Sequence, residues 1–148
     1  MQLVHKGVIL AALLCAGAAN AQSCGPLEHS FLSCTVQSGA KALEVCVSED
    51  STSYRFGPAG KAPKLELSLP EGRPDLTPWI GLGADLAQEV TFTNGDTRYT
   101  VFRQIFRSYA AGESGPMRLD LDAGVYVTRG LIELTRLRCD SESIWIDF

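Results

Sequence analysis

Histidine, methionine and long apolar runs are scarce in this chain of 148 residues. The only histidines are His5 and His29, and no Gly-x-Ser-x-Gly segment occurs. Because nucleophilic catalysis by serine or cysteine usually needs a neighbouring base, this shortage argues against a catalytic triad. A Cys-x-x-Cys pair is also absent, which argues against a zinc site. We therefore expect a protein that is not an enzyme and that has no metal and no cofactor.

One pair of carboxylates could in principle serve glycoside hydrolysis. Asp120 and Asp122, in RLDLD, lie on the same face of a predicted strand. Acid catalysis needs a cleft that raises the pKa of one carboxyl, and the surrounding sequence predicts none. We interpret the two acids as the solvated side of a strand.

The first 21 residues have the pattern of a signal peptide. Lys6 supplies the positive start, GVILAALLCAGAA the apolar run, and Ala19-Asn20-Ala21 the small-residue cleavage site. A lipoprotein signal would need a small residue before the modified cysteine, whereas Cys15 follows Leu14. The apolar run is also shorter than the ~20 residues of a membrane span. We expect residues 1–21 to be removed on export to the periplasm, leaving 22–148 as one domain.

The charge of the chain disfavours nucleic acid as a partner. Its 13 basic and 17 acidic residues give a formal charge of −4, and removal of residues 1–21 takes away Lys6 and no acid, which gives −5. A mildly acidic surface repels phosphate backbones. Solubility alone explains this charge, although it would also favour encounter with a basic protein.

Four cysteines remain after export: Cys24, Cys34, Cys46 and Cys139. An even number outside the cytosol predicts two disulfides, with three possible connectivities. A turn near Gly39 could place Cys34 opposite Cys46 in a cross-strand bridge. Equally, Cys139 could be tied back to one of the first strands.

Short segments with strand composition, separated by turn residues, run through the remaining chain. The segments are SFLSCTVQ, KALEVCVS, SYRFG, KLELSL, EVTFT, TRYTVFRQIF, MRLDLD, GVYVT and LIELTRLRC. This spacing predicts an all-β fold, a single antiparallel sandwich or barrel-like domain. In the last segment the apolar positions change parity between Leu134 and Leu137, which predicts a bulge or a strand end. A short helical turn starting at Asp85 is the only hint of helix.

The clearest hairpin signal is EVTFTNGDTRYTV. With Asn94-Gly95 as a type I′ turn, Val90 would face Tyr99 and Phe92 would face Thr97. Glu89, Thr91, Arg98 and Thr100 would then lie on the opposite, solvated face.

The segment IFRSYAAGESGP links two predicted strands by a loop of small residues with aromatic shoulders. Loops on a rigid scaffold commonly carry function, and tyrosine and arginine are frequent in binding sites. A merely mobile loop would have the same composition. The candidate partner-binding residues are Arg107, Ser108, Tyr109, Glu113 and Ser114.

The layout of signal peptide, SFLSC, LEVC, YRFGPAGK, a Trp-Gly loop, VTFTNGDTRYTV and a late LRC resembles small β-rich periplasmic proteins of Gram-negative bacteria. Among these are inhibitors of cell-wall hydrolases: lysozyme inhibitors, and immunity proteins against type VI secreted peptidoglycan amidases. The Ser-Gly-x-x-Tyr loop of some lysozyme inhibitors is absent, because GESGPM has the Ser-Gly but no tyrosine. The resemblance implies a protein that blocks a peptidoglycan-degrading enzyme, an amidase or a lysozyme, with an inserted loop.

A second interpretation is a periplasmic glycan- or envelope-binding module. Trp79 and Tyr109 would then be stacking platforms for sugar rings, aligned on one exposed face. Trp79, Ile80 and Leu82 are alternatively core residues beneath a loop.

Overall fold

The computed structural model describes residues 24–69, 86–109 and 115–147. These residues form eight antiparallel strands in two four-stranded sheets, in the orders β1-β2-β3-β4 and β5-β6-β7-β8. The elements are β1 His29–Val36, β2 Lys41–Val47, β3 Thr52–Pro58, β4 Leu65–Leu69, β5 Leu86–Asn94, β6 Thr97–Tyr109, β7 Met117–Arg129, β8 Ile132–Arg138 and a 3-10 turn at Ser141–Ser143. The expected all-β class is therefore confirmed.

The inner faces of the two sheets share one core. Tyr54 of β3 packs against Phe92 of β5 and Tyr99 of β6, with ring centroids 5.4 and 5.7 Å apart. Leu32 and Val101 belong to the same cluster and are fully buried. The sheets therefore pack face to face as a sandwich.

Two disulfides hold the sandwich together, as the cysteine count predicts. Cys34 of β1 is bonded to Cys139, just after β8, and Cys24 is bonded to Cys46 of β2. A Cys34–Cys46 bridge, one of the two options left open, is wrong. Cys34 pairs with Leu43 on the inner face, whereas Cys46 pairs with Ser30, so the two side chains lie on opposite faces of the sheet.

The residues that follow β8 close the edge of the first sheet. Ser33 and Trp145 exchange two backbone hydrogen bonds of 2.9 and 2.8 Å, and the Asp140 N–H donates to the carbonyl of Thr35 at 2.8 Å. The Asp147 N–H donates to the carbonyl of Ser30. As a result β1 has a partner on both sides.

The β5–β6 hairpin forms one residue later than predicted. Asn94 pairs with Thr97, so Gly95 and Asp96 make the turn. Gly95 has φ +62° and Asp96 is not among the residues with positive φ, which is the pattern of a type II′ turn. This register pairs Phe92 with Tyr99. Both rings pack in the core, so core packing determines the position of the turn.

The faces of this hairpin agree with the prediction, with one exception. Thr91 and Arg98 lie on the face away from the core and are exposed. Thr100 shares that face but is buried, with its hydroxyl 2.9 Å from the hydroxyl of Thr91.

The structure also shows the predicted irregularity in β8 and the residues after Asp85. The predicted irregularity in β8 is confirmed by a register shift, because Thr135 pairs with Val127 but Glu133 pairs with Thr128, leaving Leu134 as an extra residue. The short helical turn is wrong where it is described, because residues 86–90 belong to strand β5; Asp85 lies outside the described residues.

The segments MRLDLD and GVYVT form one continuous strand, β7. Gly124 does not interrupt it because the backbone of β8 comes very close at this point. A Cβ at position 124 would fall on the carbonyl oxygen of Leu137. Position 124 therefore requires glycine because the backbone of β8 lies so close, and not because the chain turns there.

Candidate partner-binding surface

The β6–β7 hairpin is longer than the strands beside it. Among the described strands, β5 pairs with β6 only as far as Ile105, and β8 pairs with β7 only from Gly124 onward. Within the part of the chain that the structure describes, residues 106–109 and 117–120 pair only with each other. We call residues 105–109 and 117–121 the arm. The arm is a two-stranded extension of the second sheet.

One face of the arm carries large apolar side chains. This inner face continues the core side of the second sheet and consists of Ile105, Arg107, Tyr109, Met117, Leu119 and Leu121. Leu119 is 62% exposed and Met117 52% exposed. Alternation in MRLDLD predicts apolar residues turned toward a core, but no described strand of the first sheet covers them here. Exposed contiguous apolar side chains are a usual mark of a binding surface.

The arm separates the predicted site residues. Arg107 and Tyr109 lie on the inner face, opposite Leu119 and Met117. Ser108 lies on the other face, where its hydroxyl donates a hydrogen bond to the carboxylate of Asp120. The two remaining candidates, Glu113 and Ser114, lie outside the described residues. So do Trp79, Ile80 and Leu82.

Arg103 lies at the base of the arm, on the same inner face, and was not identified from the sequence. Its Nε and Nη2 donate to Oε1 of Gln88 at 2.8 and 2.5 Å, and its Nη1 donates to the carbonyl of Phe31 at 2.8 Å. The guanidinium also lies 4.3 Å from the centroid of the Phe31 ring. Burial lowers the pKa of Arg103. The sequence does contain a signal for Arg103. It is two residues after Val101 in a strand, so alternation places this charged residue on the core side.

The outer face of the second sheet carries a network of paired polar side chains. The hydroxyl of Tyr126 donates to Glu89 at 3.2 Å, and the guanidinium of Arg136 lies 4.9 Å from the centroid of the Tyr126 ring. Burial, and secondly the charge of Glu89, raise the pKa of Tyr126. Arg136 thus occupies one face of this ring. A stacking platform for sugars needs a free ring face, which Tyr109 offers better because it is 47% exposed.

The acids predicted to be solvated are bound to neighbours on that outer face. Asp120 accepts from Ser108, and Asp122 forms a 2.7 Å ion pair with Arg138. His29 is exposed.

One group among the described residues has the spacing of metal ligands: Cys24, Glu28 and Cys46. Its two sulfurs are joined in a disulfide, so they cannot supply thiolates. The carboxylate of Glu28 instead accepts the N–H of Gly25 at 2.6 Å.

Within the described residues, no helix is both long and apolar enough to cross a lipid bilayer. The disulfides indicate an oxidising compartment outside the cytosol. No family model, curated protein or solved structure matches the chain.

Proposed function

We propose that this chain is a periplasmic inhibitor that binds and blocks a peptidoglycan-degrading enzyme, either a type VI amidase effector or a lysozyme, with the arm as its contact surface. The observation that carries the proposal is the arm itself: a projecting hairpin with an exposed apolar inner face, built on a scaffold held by two disulfides. It acts by occupying the enzyme's substrate groove, without chemistry of its own.

The scaffold supports this proposal through its rigidity. A binding segment that is already ordered loses less conformational entropy in a complex than a free loop does. Strands β6 and β7 pair without a register break from Thr97–Arg129 to Tyr109–Met117. The arm is therefore anchored in the sandwich along one continuous ladder.

The composition of the inner face supports it too. Tyrosine, methionine and arginine are enriched in protein interfaces, and Tyr109, Met117 and Arg107 lie together on this face. A central anchor such as Tyr109 contributes about 2 kcal/mol or more, roughly thirtyfold in affinity.

The test is inhibition of purified enzymes by the oxidised mature protein. Clearing of a peptidoglycan suspension would be followed for a panel of lysozymes and type VI amidases, with stoichiometry from calorimetric titration. We expect inhibition of at least one enzyme in a one-to-one complex. Leu119→Asp should abolish it, whereas Leu131→Asp should not, because Leu131 is fully exposed at the opposite end of the sheet.

A panel in which no enzyme is inhibited would contradict the inhibitor proposal. Co-sedimentation with insoluble peptidoglycan then distinguishes the glycan-binding module, which would pellet with the polymer and lose that binding on Tyr109→Ala.

A further inference from the structure

The inner face of the second sheet lacks acidic residues throughout its described strands. Every described residue of β5 to β8 that shares the face of Val101 is apolar, neutral or basic. At the arm end, the charged members are Arg103 and Arg107. Among the described residues, this end of the face therefore carries apolar and basic side chains.

The acids of the same hairpin lie on the other face and already have partners. Asp120 accepts from Ser108, and Asp122 pairs with Arg138. Neither carboxylate can reach the inner face, because successive residues of a strand point to opposite sides. The described strands thus supply no carboxylate to Arg103.

Arg103 makes its hydrogen bonds to neutral acceptors alone, the amide of Gln88 and the carbonyl of Phe31. These bonds use three of the five N–H donors of the guanidinium. The side chain is half-buried, and burial of a charge costs free energy unless an opposite charge compensates. A carboxylate is the group that fits the remaining donors, since a guanidinium binds it with matched geometry.

We propose that the inner face of the arm binds an apolar segment of a partner protein that carries an aspartate or glutamate side chain, with Arg103 at the base as the anchor for the carboxylate. This inference rests on the proposed function for the arm as the contact surface. The apolar part of the segment lies along Leu119, Leu121 and Met117, and the carboxylate lies where the arm joins the sandwich.

The experiment selects binders from a display library of disulfide-cyclised peptides against the oxidised mature protein. Selected peptides are resynthesised in amidated form, each with a version in which the acid is replaced by its amide. This arrangement excludes a chain terminus as the source of the carboxylate. Because the selection uses no hydrolase, it can succeed or fail independently of the inhibition assay.

We expect selected peptides to combine apolar residues with an acid, and the amide version to bind at least tenfold more weakly. The Arg103→Gln variant should bind the acid and amide versions equally. This result is expected if Arg103 contacts the peptide carboxylate directly, because the acid then gives no advantage once the guanidinium is removed. Arg98→Gln, on the outer face, is the matched control and should leave the difference unchanged.

A second variant, which leaves the half-buried Arg103 in place, keeps the test decisive if Arg103→Gln fails to fold. Leu119→Asp places a charge at an exposed position and should abolish peptide binding without changing the melting temperature, while Leu131→Asp should bind as the wild type does. Peptides without acid enrichment would overturn the proposal. So would acid peptides whose affinity is unaffected by Leu119→Asp.

Other occupants of the face give different results, and each would also overturn the proposal. A second copy of the chain would appear as a dimer in sedimentation that Leu119→Asp dissociates. Coverage by residues 70–85 of the same chain would leave the wild type unable to bind any peptide, with binding gained when Trp79, Ile80 and Leu82 are replaced by serine.

Discussion

Cys34 in the first strand is bonded to Cys139, 105 residues later, just past the last strand. The bond joins the first sheet to the end of the second. The other disulfide, Cys24–Cys46, spans 22 residues and anchors the segment before β1 to β2. The two bonds therefore constrain the unfolded chain to different extents.

We expect loss of the long-range disulfide to cost more than loss of the short one. In the chain-entropy account, loops of these lengths correspond to about 4.7 and about 3.4 kcal/mol. Cys34→Ser with Cys139→Ser should therefore lower the free energy of unfolding further than Cys24→Ser with Cys46→Ser, measured by urea denaturation. Two or more free thiols in denatured, oxidised protein comprising residues 22–148 would contradict the pairing.

Gly124→Ala should be strongly destabilising although it adds one methyl group. Its Cβ would fall on the carbonyl oxygen of Leu137, a backbone atom that can move only with strand β8. Overpacking of this kind typically costs ~1–3 kcal/mol. The free energy of unfolding measures the effect, and Ala87→Gly on strand β5 of the same sheet is a control for the alanine–glycine difference alone.

Gly95→Val should destabilise the β5–β6 hairpin by more than about 1 kcal/mol, because a β-branched residue is forced to positive φ. Gly95→Asn is the matched comparison, since asparagine tolerates this conformation better. Equal melting temperatures for wild type and Gly95→Val would contradict the turn at Gly95-Asp96.

Asp140 should make the stability of the β1–β2 turn dependent on pH. Its carboxylate accepts the Thr35 hydroxyl and the N–H groups of Gly39 and Ser38 at 2.9, 2.8 and 3.1 Å. The hydrogen bond from Thr35, and then that from Gly39, lower the pKa of Asp140. The turn needs such support because Gln37 and Ser38 have positive φ.

A lowered folded-state pKa means that the stabilisation is present above the unfolded-state pKa of about 3.9 and is lost as the pH falls through the folded-state value. We therefore expect Asp140→Asn to lower the melting temperature near neutral pH, with a difference that shrinks below about pH 4. A difference independent of pH would show that the carboxylate charge is not involved.

Ser108→Ala, Tyr109→Ala and Ser114→Ala together should weaken the complex with the target enzyme by about thirtyfold or more, chiefly through Tyr109. Loss of the Tyr109 ring should change the melting temperature little, because Tyr109 is exposed and substitutions at exposed positions seldom alter stability by more than ~0.5 kcal/mol. Since Ser108 lies on the outer face, Tyr109→Ala alone should account for most of the loss. Equal affinities in calorimetric titration would place the contact elsewhere on the protein.

Alternation of apolar and polar residues was sufficient to predict where strands lie and the irregularity at Leu134, although MRLDLD and GVYVT form one strand, β7. It was insufficient for the exact hairpin register, because Asn94-Gly95 and Gly95-Asp96 both suit a two-residue turn. The pairing of Phe92 with Tyr99 and of Val90 with Val101 decides between them. That choice depends on the packing of the opposite sheet, which local sequence does not encode.

Two features of the arm could not be predicted from the sequence for a similar reason. Alternation correctly places Leu119 and Leu121 on the inner side of β7, but whether anything covers them depends on where neighbouring strands end. Arg103 interacts with a carbonyl 72 residues earlier in the chain, at Phe31, where the register of β1 shifts. Neither relationship can be read from a short segment.

The attachment of the C-terminal residues to β1 also sets the order of events during synthesis. The free edge of β1 forms backbone hydrogen bonds with Asp140, Trp145 and Asp147, and Cys34 forms its disulfide with Cys139. A chain made from its amino end therefore cannot complete the hydrogen bonds and the disulfide of its first strand until residues 139–147 have been added.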